Sequence, residues 1–94
     1  MVTLRIQHAV NDLERWRRAF DADPVDRKGG GVRRYHVHRA VHDPRFVMID
    51  LEFDTVREAD AFLDRLRRMW SGPAQALMRD PQAWVIETLE STVV

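Results

Sequence analysis

The 94 residues support one domain near the lower end of the usual size range, with a core thin enough that a second copy of the chain would help to bury surface, so a homodimer is expected. Fifteen basic residues balance fifteen acidic ones, which removes the attraction that nucleic acid or an anionic membrane exploits, so neither partner is expected. The absence of cysteine rules out a disulfide framework and thiolate chemistry; the N-terminus lacks the pattern of a signal peptide, and no stretch approaches the roughly 18 apolar residues of a membrane span, so the expected setting is soluble and cytoplasmic.

"VTLRIQHAV" alternates, with Val2, Leu4, Ile6, His8 and Val10 on one side and Thr3, Arg5, Gln7 and Ala9 on the other. That is the pattern of a half-buried strand. In "NDLE", Asn11 is expected to cap a helix with Glu14 as its reciprocal partner, and Asp12 then sits in the first turn as a partner of the helix dipole. Leu13, Trp16 and Phe20 recur at spacings of three and four and form the apolar stripe of that helix.

"ADPVDRKGGG" combines a proline, charges and three glycines and reads as a mobile connection. A phosphate-binding loop is excluded because its glycines would have to feed a helix, whereas "VRRYHVHRAV" looks like a strand. Asp43 and Pro44 are expected to open a tight turn, after which "FVMIDLEF" sends Val47, Ile49, Leu51 and Phe53 to one face, so the two strands form a hairpin.

Thr55 and Glu58 form a second capping box, opening a helix with the stripe Ala59, Phe62, Leu63, Leu66, Met69 and Trp70. Gly72 suits a left-handed cap and Pro73 stops the helix. "PAQALMR" is expected to add a short helical turn, and "AWVIETLEST" a last strand after "DP".

The order strand, helix, strand, strand, helix, strand defines a single α+β domain over residues 1–94, the ferredoxin-like βαββαβ arrangement, with both helices on one face of a four-stranded antiparallel sheet. The helix-covered face takes Leu4, Ile6, Val37, Val47, Ile49, Leu51 and Phe53. Arg5, Gln7, Arg34, His36, His38, Asp50 and Glu52 fall on the other, among Phe46, Met48 and Ala40, which is too mixed a set for a plain solvent face.

"QHAVNDLERWRRAFD", with its His-x-Val-x-Asp, a Trp four residues on and a Phe four further, resembles the dimeric α+β barrel superfamily. More narrowly, it is similar to small bacterial proteins of the antibiotic-biosynthesis-monooxygenase-like or cyclase-like kind. The likeness continues through "GVRRYHVHRAVHDPRFVMIDLEFDTVREADAFL", from Gly31 through the Asp43-Pro44 turn to Ala59, Phe62 and Leu63, and spans Leu4 to about Met69. It implies two ferredoxin-like sheets packed face to face as a homodimeric barrel, with a small-molecule cleft between sheet and helices in each subunit. Some members of that superfamily are cofactor-independent oxygenases of aromatic polyketides and others bind haem.

Four histidines are then sorted by position. His36 and His38 share a strand face at chelating spacing, but a metal needs a third ligand, and Asp50 and Glu52 read more simply as charge partners in a hydrated contact between subunits. No metal and no cofactor is expected. His42 adjoins the hairpin turn and is read as exposed. His8 lies in an apolar row facing the helices and must find a partner there. It is either a structural histidine or a polar group at the mouth of an aromatic-lined pocket. The aromatic stripes are read first as core. The run "RLRR", Arg65 to Arg68, is read as a solvated face.

Two functions stay open. One is binding of a small aromatic or polyketide-like molecule, with conversion of oxygenase or cyclase type as the further step, His8 as general base or hydrogen-bond partner and Trp16, Phe20 and Phe62 shaping the site. The other is a non-catalytic dimeric module for ligand sensing or protein association. Pocket size discriminates between them.

Overall fold

A computed structural model describes residues 1–72 and 78–94. The elements are β1 (Val2–Val10), α1 (Leu13–Asp21), β2 (Arg34–Ala40), β3 (Asp43–Phe53), α2 (Val56–Trp70) and β4 (Met78–Glu87). The strands form one sheet in the order β2-β3-β1-β4, antiparallel throughout. This is the ferredoxin-like α+β arrangement that the residue pattern predicts. The helical turn expected in "PAQALMR" and the stop at Pro73 lie, for the most part, outside the described residues.

Alternation along β1 and β3 fixes which face is buried. Leu4 pairs with Leu51 and Ile6 with Ile49, and these residues join Val47, Phe53, Phe62, Leu63 and Leu66 in the core. Both helices lie on this side: α2 packs closely on β1, β3 and β4, while α1 approaches the strands less closely. Trp16, the buried residue of α1, bridges the gap. No helix among the described residues is long and apolar enough to cross a membrane.

Local chemistry differs from expectation at five points. The cap of α1 is Asp12, whose side chain accepts from the Arg15 backbone N–H at 3.1 Å. Strand β1 runs on through Val10 and leaves Asn11 in the bend, which moves the cap one residue on and puts Arg15, not Glu14, at the third helical position. At α2 the expected box forms, with the Glu58 N–H donating to Thr55 Oγ1 at 3.1 Å and that hydroxyl donating to Glu58 Oε1 at 3.2 Å. Helix α2 ends at Ser71 in right-handed conformation, and Gly31, not Gly72, is the glycine with positive φ.

The hairpin turn is Val41 and His42, because Ala40 already pairs with Asp43. Asp43 and Pro44 open β3, where a register shift takes up the proline's missing donor. Strand β4 begins at Met78, five residues before the expected Ala83, because Asp80 and Pro81 sit in a bulge, Asp80 with φ 49°, rather than ending a turn.

The glycine-rich connection between α1 and β2 is also built rather than loose. Gly30 N–H donates to the Asp26 carbonyl at 2.9 Å and Val32 N–H to the Arg27 carbonyl at 3.0 Å. A Cβ on Gly30 would come within 2.5 Å of Phe62, so the glycine is where the loop backbone presses onto α2. Arg65 donates to the Val25 carbonyl from the other side. The loop therefore folds back over the end of the helix layer.

Candidate functional site

Between the sheet and the helices lies an apolar cavity of about 110 Å³. Its floor is Ile6, His8, Ile49 and Leu51 from the sheet; α1 gives Trp16, Ala19 and Phe20, and α2 gives Phe62, Leu66, Met69 and Trp70. Pro24, Val25 and Arg27 of the connecting loop close one side. The four residues singled out in the sequence, His8, Trp16, Phe20 and Phe62, thus share one wall system, although they come from three elements and span 54 positions of chain.

His8 is 2% exposed and meets the Trp16 ring edge-on, with centroids 5.5 Å apart. Trp16 stacks on Phe20 at 5.2 Å, and Phe20 meets Tyr35 edge-on at 5.4 Å. His8 Nδ1 lies 3.2 Å from the Ala9 carbonyl oxygen. A proton on Nδ1 is donated there, which leaves Nε2 as a lone-pair acceptor. Among the described residues Nε2 has no protein partner, yet no buried side-chain nitrogen or oxygen is left sealed without one. His8 is one of the residues that line the cavity. Burial pushes the imidazole's proton affinity below its ordinary value, and the Ala9 carbonyl opposes this only in part. Burial therefore favours the neutral ring.

The position of His8 in the sheet is also unusual. It pairs with Val47 of β3, but on the other side the β4 register shifts between Gln7 and Ala9, so the bulge at Asp80 and Pro81 lies opposite it. Bulges are common beside functional groups because they re-aim one residue without disturbing the ladder on either side.

The second polar residue of the cavity, Arg27, was not visible from periodicity. Its guanidinium lies over the Phe20 ring at 4.0 Å and the Tyr35 ring at 4.8 Å. Nη1 donates to the Phe20 carbonyl at 2.8 Å and Nε lies 3.5 Å from Asp23. A charged residue in a glycine-rich loop carries no periodic signal; the one local cue is Asp23 four positions earlier. Pro24 and Val25, in the same connection, were missed for the same reason; Tyr35, on β2, borders the outer cleft and not the cavity.

His36 and His38 are on the opposite face of the sheet. Their rings lie parallel with centroids 5.9 Å apart; His36 Nδ1 is 3.8 Å from Glu52 and His38 Nε2 3.7 Å from Asp50. Arg5 holds Asp50 with two bonds of 2.8 and 3.0 Å, and Arg34 holds Glu52 at 3.1 and 3.2 Å. The hydrogen bond from Arg5 holds the Asp50 carboxyl below its usual range against the opposing effect of burial, and the charges of Arg5, His38 and His36 add to it. No group of three or more His, Cys, Asp or Glu side chains is arranged to hold a metal ion among the described residues. Trp84 is 46% exposed: it pairs across with Arg5 and so takes the outer face. His42 is exposed in the turn.

Element order, strand order and a cavity between sheet and helices define a ferredoxin-like α+β domain with room for a small molecule. No protein-family model matches the chain, and no curated protein matches it. Solved structures share its fold. A protein described as an antibiotic biosynthesis monooxygenase superposes with a TM-score of 0.68 at 11% identity, over 96% of this chain and 100% of its own. A dimeric ferredoxin-like protein from an uncultured marine organism does so with 0.68 at 13% identity, over 97% and 96%. The Pseudomonas aeruginosa protein PA3566 gives 0.66 at 18% identity, over 95% and 94%. At such identities the likeness is one of fold, and at that level it bears out the resemblance carried by the sequence.

Proposed function

We propose that the protein is a homodimer in which each subunit binds a small aromatic molecule in the cavity, with His8 Nε2 as its hydrogen-bond partner. The single observation that carries this reading is a buried histidine, its neutral form favoured by burial, in the wall of an aromatic-lined and largely apolar space. An apolar cavity of about 150 Å³ suffices for benzene, so the space of about 110 Å³ here takes a single ring only as its walls give. Met69 and Met78 in its wall are side chains that re-pack readily around a guest.

The geometry supports a hydroxylated ring, whose O–H donates to Nε2. The lowered proton affinity of buried His8 favours accepting that hydrogen bond over taking the proton, so the site supports binding more directly than turnover. The non-catalytic alternative draws on the same cavity: about 110 Å³ is below the roughly 300 Å³ at which drug-sized sites begin, which favours a small sensed ligand over a multi-ring substrate.

Dimerisation draws on the uncovered sheet face. Partly buried Phe46, Met48 and Ile86 and exposed Trp84 surround ion pairs that are already satisfied within the subunit, the mixture found at subunit contacts. The dimeric marine neighbour has the same fold.

Calorimetric titration with phenol and catechol tests the site. Saturable binding of one molecule per subunit is expected, with His8→Gln keeping the fold but weakening the affinity. Equal affinity of the variant and the parent protein removes His8 from the site.

A further inference from the structure

Arg27 stands where two spaces meet. It lines the inner cavity and also an outer cleft of about 630 Å³ bordered by Asp23, Lys28, Arg33, Arg34 and Tyr35, and it is the residue common to both. Its side chain is only 12% exposed and stacks on one ring from each space, Phe20 inside and Tyr35 outside. The guanidinium is the wall between them.

Its bonds leave capacity for a ligand. Nη1 is committed to the Phe20 carbonyl, and Nε has the longer contact of 3.5 Å with Asp23. Nη2 makes no hydrogen bond among the described residues. A guanidinium beside an apolar cavity, with donors to spare, suits a planar carboxylate better than any neutral group. The cleft beyond is basic: Arg33 and Arg34 are held by Asp54 and Glu52, but Lys28 has no ion pair among the described residues. Asp23 occupies the anion's place from within the chain, and its carboxylate also accepts the Arg27 backbone N–H at 3.0 Å.

We propose that Arg27 is the specificity-determining gate of the cavity, and that the ligand is a single-ring hydroxyaromatic acid, its ring and hydroxyl inside and its carboxylate on the guanidinium at the cleft. This rests on the reading of the cavity as an aromatic site and adds the charge at the ligand's other end. Asp23 is then an internal competitor, displaced from Arg27 as the acid enters.

The test is titration of the full-length protein with 4-hydroxyphenylacetate and its neutral isostere 4-hydroxyphenylacetamide, followed by heat and by Trp16 fluorescence. The acid is expected to bind about tenfold or more tighter than the amide, the usual effect of a hydrogen bond to a charged group. Arg27→Met, which keeps the apolar stem against Phe20, should abolish that preference. Asp23→Asn should strengthen binding of the acid alone; Asp23 has φ 55°, a conformation asparagine tolerates, so this variant keeps the fold even where Arg27→Met does not. Equal binding of acid and amide by the parent protein overturns the gate while leaving the aromatic site in place. Binding of neither overturns both.

Discussion

The two faces of the sheet each carry histidine, and they treat it in opposite ways. On the inner face His8 shares an aromatic-walled cavity with Arg27, with one backbone carbonyl as partner and, among the described residues, no carboxylate on the wall; on the outer face His36 and His38 lie beside Glu52 and Asp50. Burial without a counter-charge favours the neutral ring, a proton acceptor. A ring beside a carboxylate that an arginine already holds joins a charge network across the paired strands. Spacing on a strand made His36 and His38 the more conspicuous pair, yet it is His8 that lines the cavity.

The comparison breaks most severely on the inner face. Phe62 is almost wholly buried, packs on Phe53 with centroids 5.6 Å apart, supports Gly30 and walls the cavity. Phe62→Ala should cost about 3 to 5 kcal/mol by chemical denaturation, the range for emptying a core aromatic site. A loss under about 1 kcal/mol would mean that the loop and α2 collapse into the space, and that the cavity is not held open by its walls.

On the outer face, Arg5→Ala separates two states of the protein. Arg5 is half exposed beside a more buried Asp50, and in an isolated subunit such a pair is worth about 0.2 to 1 kcal/mol. Covered by a second copy, the same change strands Asp50 in the contact, at a cost of about 2 to 5 kcal/mol in dimer stability. The dimer predicts the larger loss, with dissociation seen by light scattering at micromolar concentration. A parent protein that is monomeric there would leave the outer face a solvent face.

The smallest expected effect is a pH dependence. His8 has a lower proton affinity folded than unfolded, so below the unfolded value of about 6.5 the unfolded chain binds a proton that the folded chain refuses. Stability is full above that pH and falls as pH drops through the window between the unfolded and the lowered folded value. Asp50 acts in the same direction, but only below its own unfolded value of 3.8. Melting temperatures between pH 7.5 and 5, compared with His8→Gln, isolate the effect: the parent protein should lose more than the variant.

Much of this architecture was legible in the sequence because it rests on period. Alternation in "TLRIQHAV" and "FVMIDLEF" placed the sheet faces, and the Thr55 and Glu58 box placed α2. Errors arose where one residue's backbone chemistry outweighed pattern. Asp12 took the cap from Asn11, Val41 and His42 took the turn from Asp43 and Pro44, and Pro81 was absorbed by a bulge within β4 instead of preceding the strand. At the site, the members on regular elements, His8, Trp16, Phe20 and Phe62, could be found from spacing. Arg27 could not, since it reaches the cavity through a folded loop whose three glycines read as slack; Gly30 is there because Phe62 leaves no room for a Cβ.

The central claim is that the inner histidine, not the outer pair, faces a ligand. Long-range proton–nitrogen NMR of the imidazoles during titration with 4-hydroxyphenylacetate tests it directly. The account predicts a saturable shift of His8 Nε2, with the Trp16 indole moving in step and His36 and His38 unmoved. Shifts confined to His36 and His38, or none at His8 under saturating ligand, would contradict it.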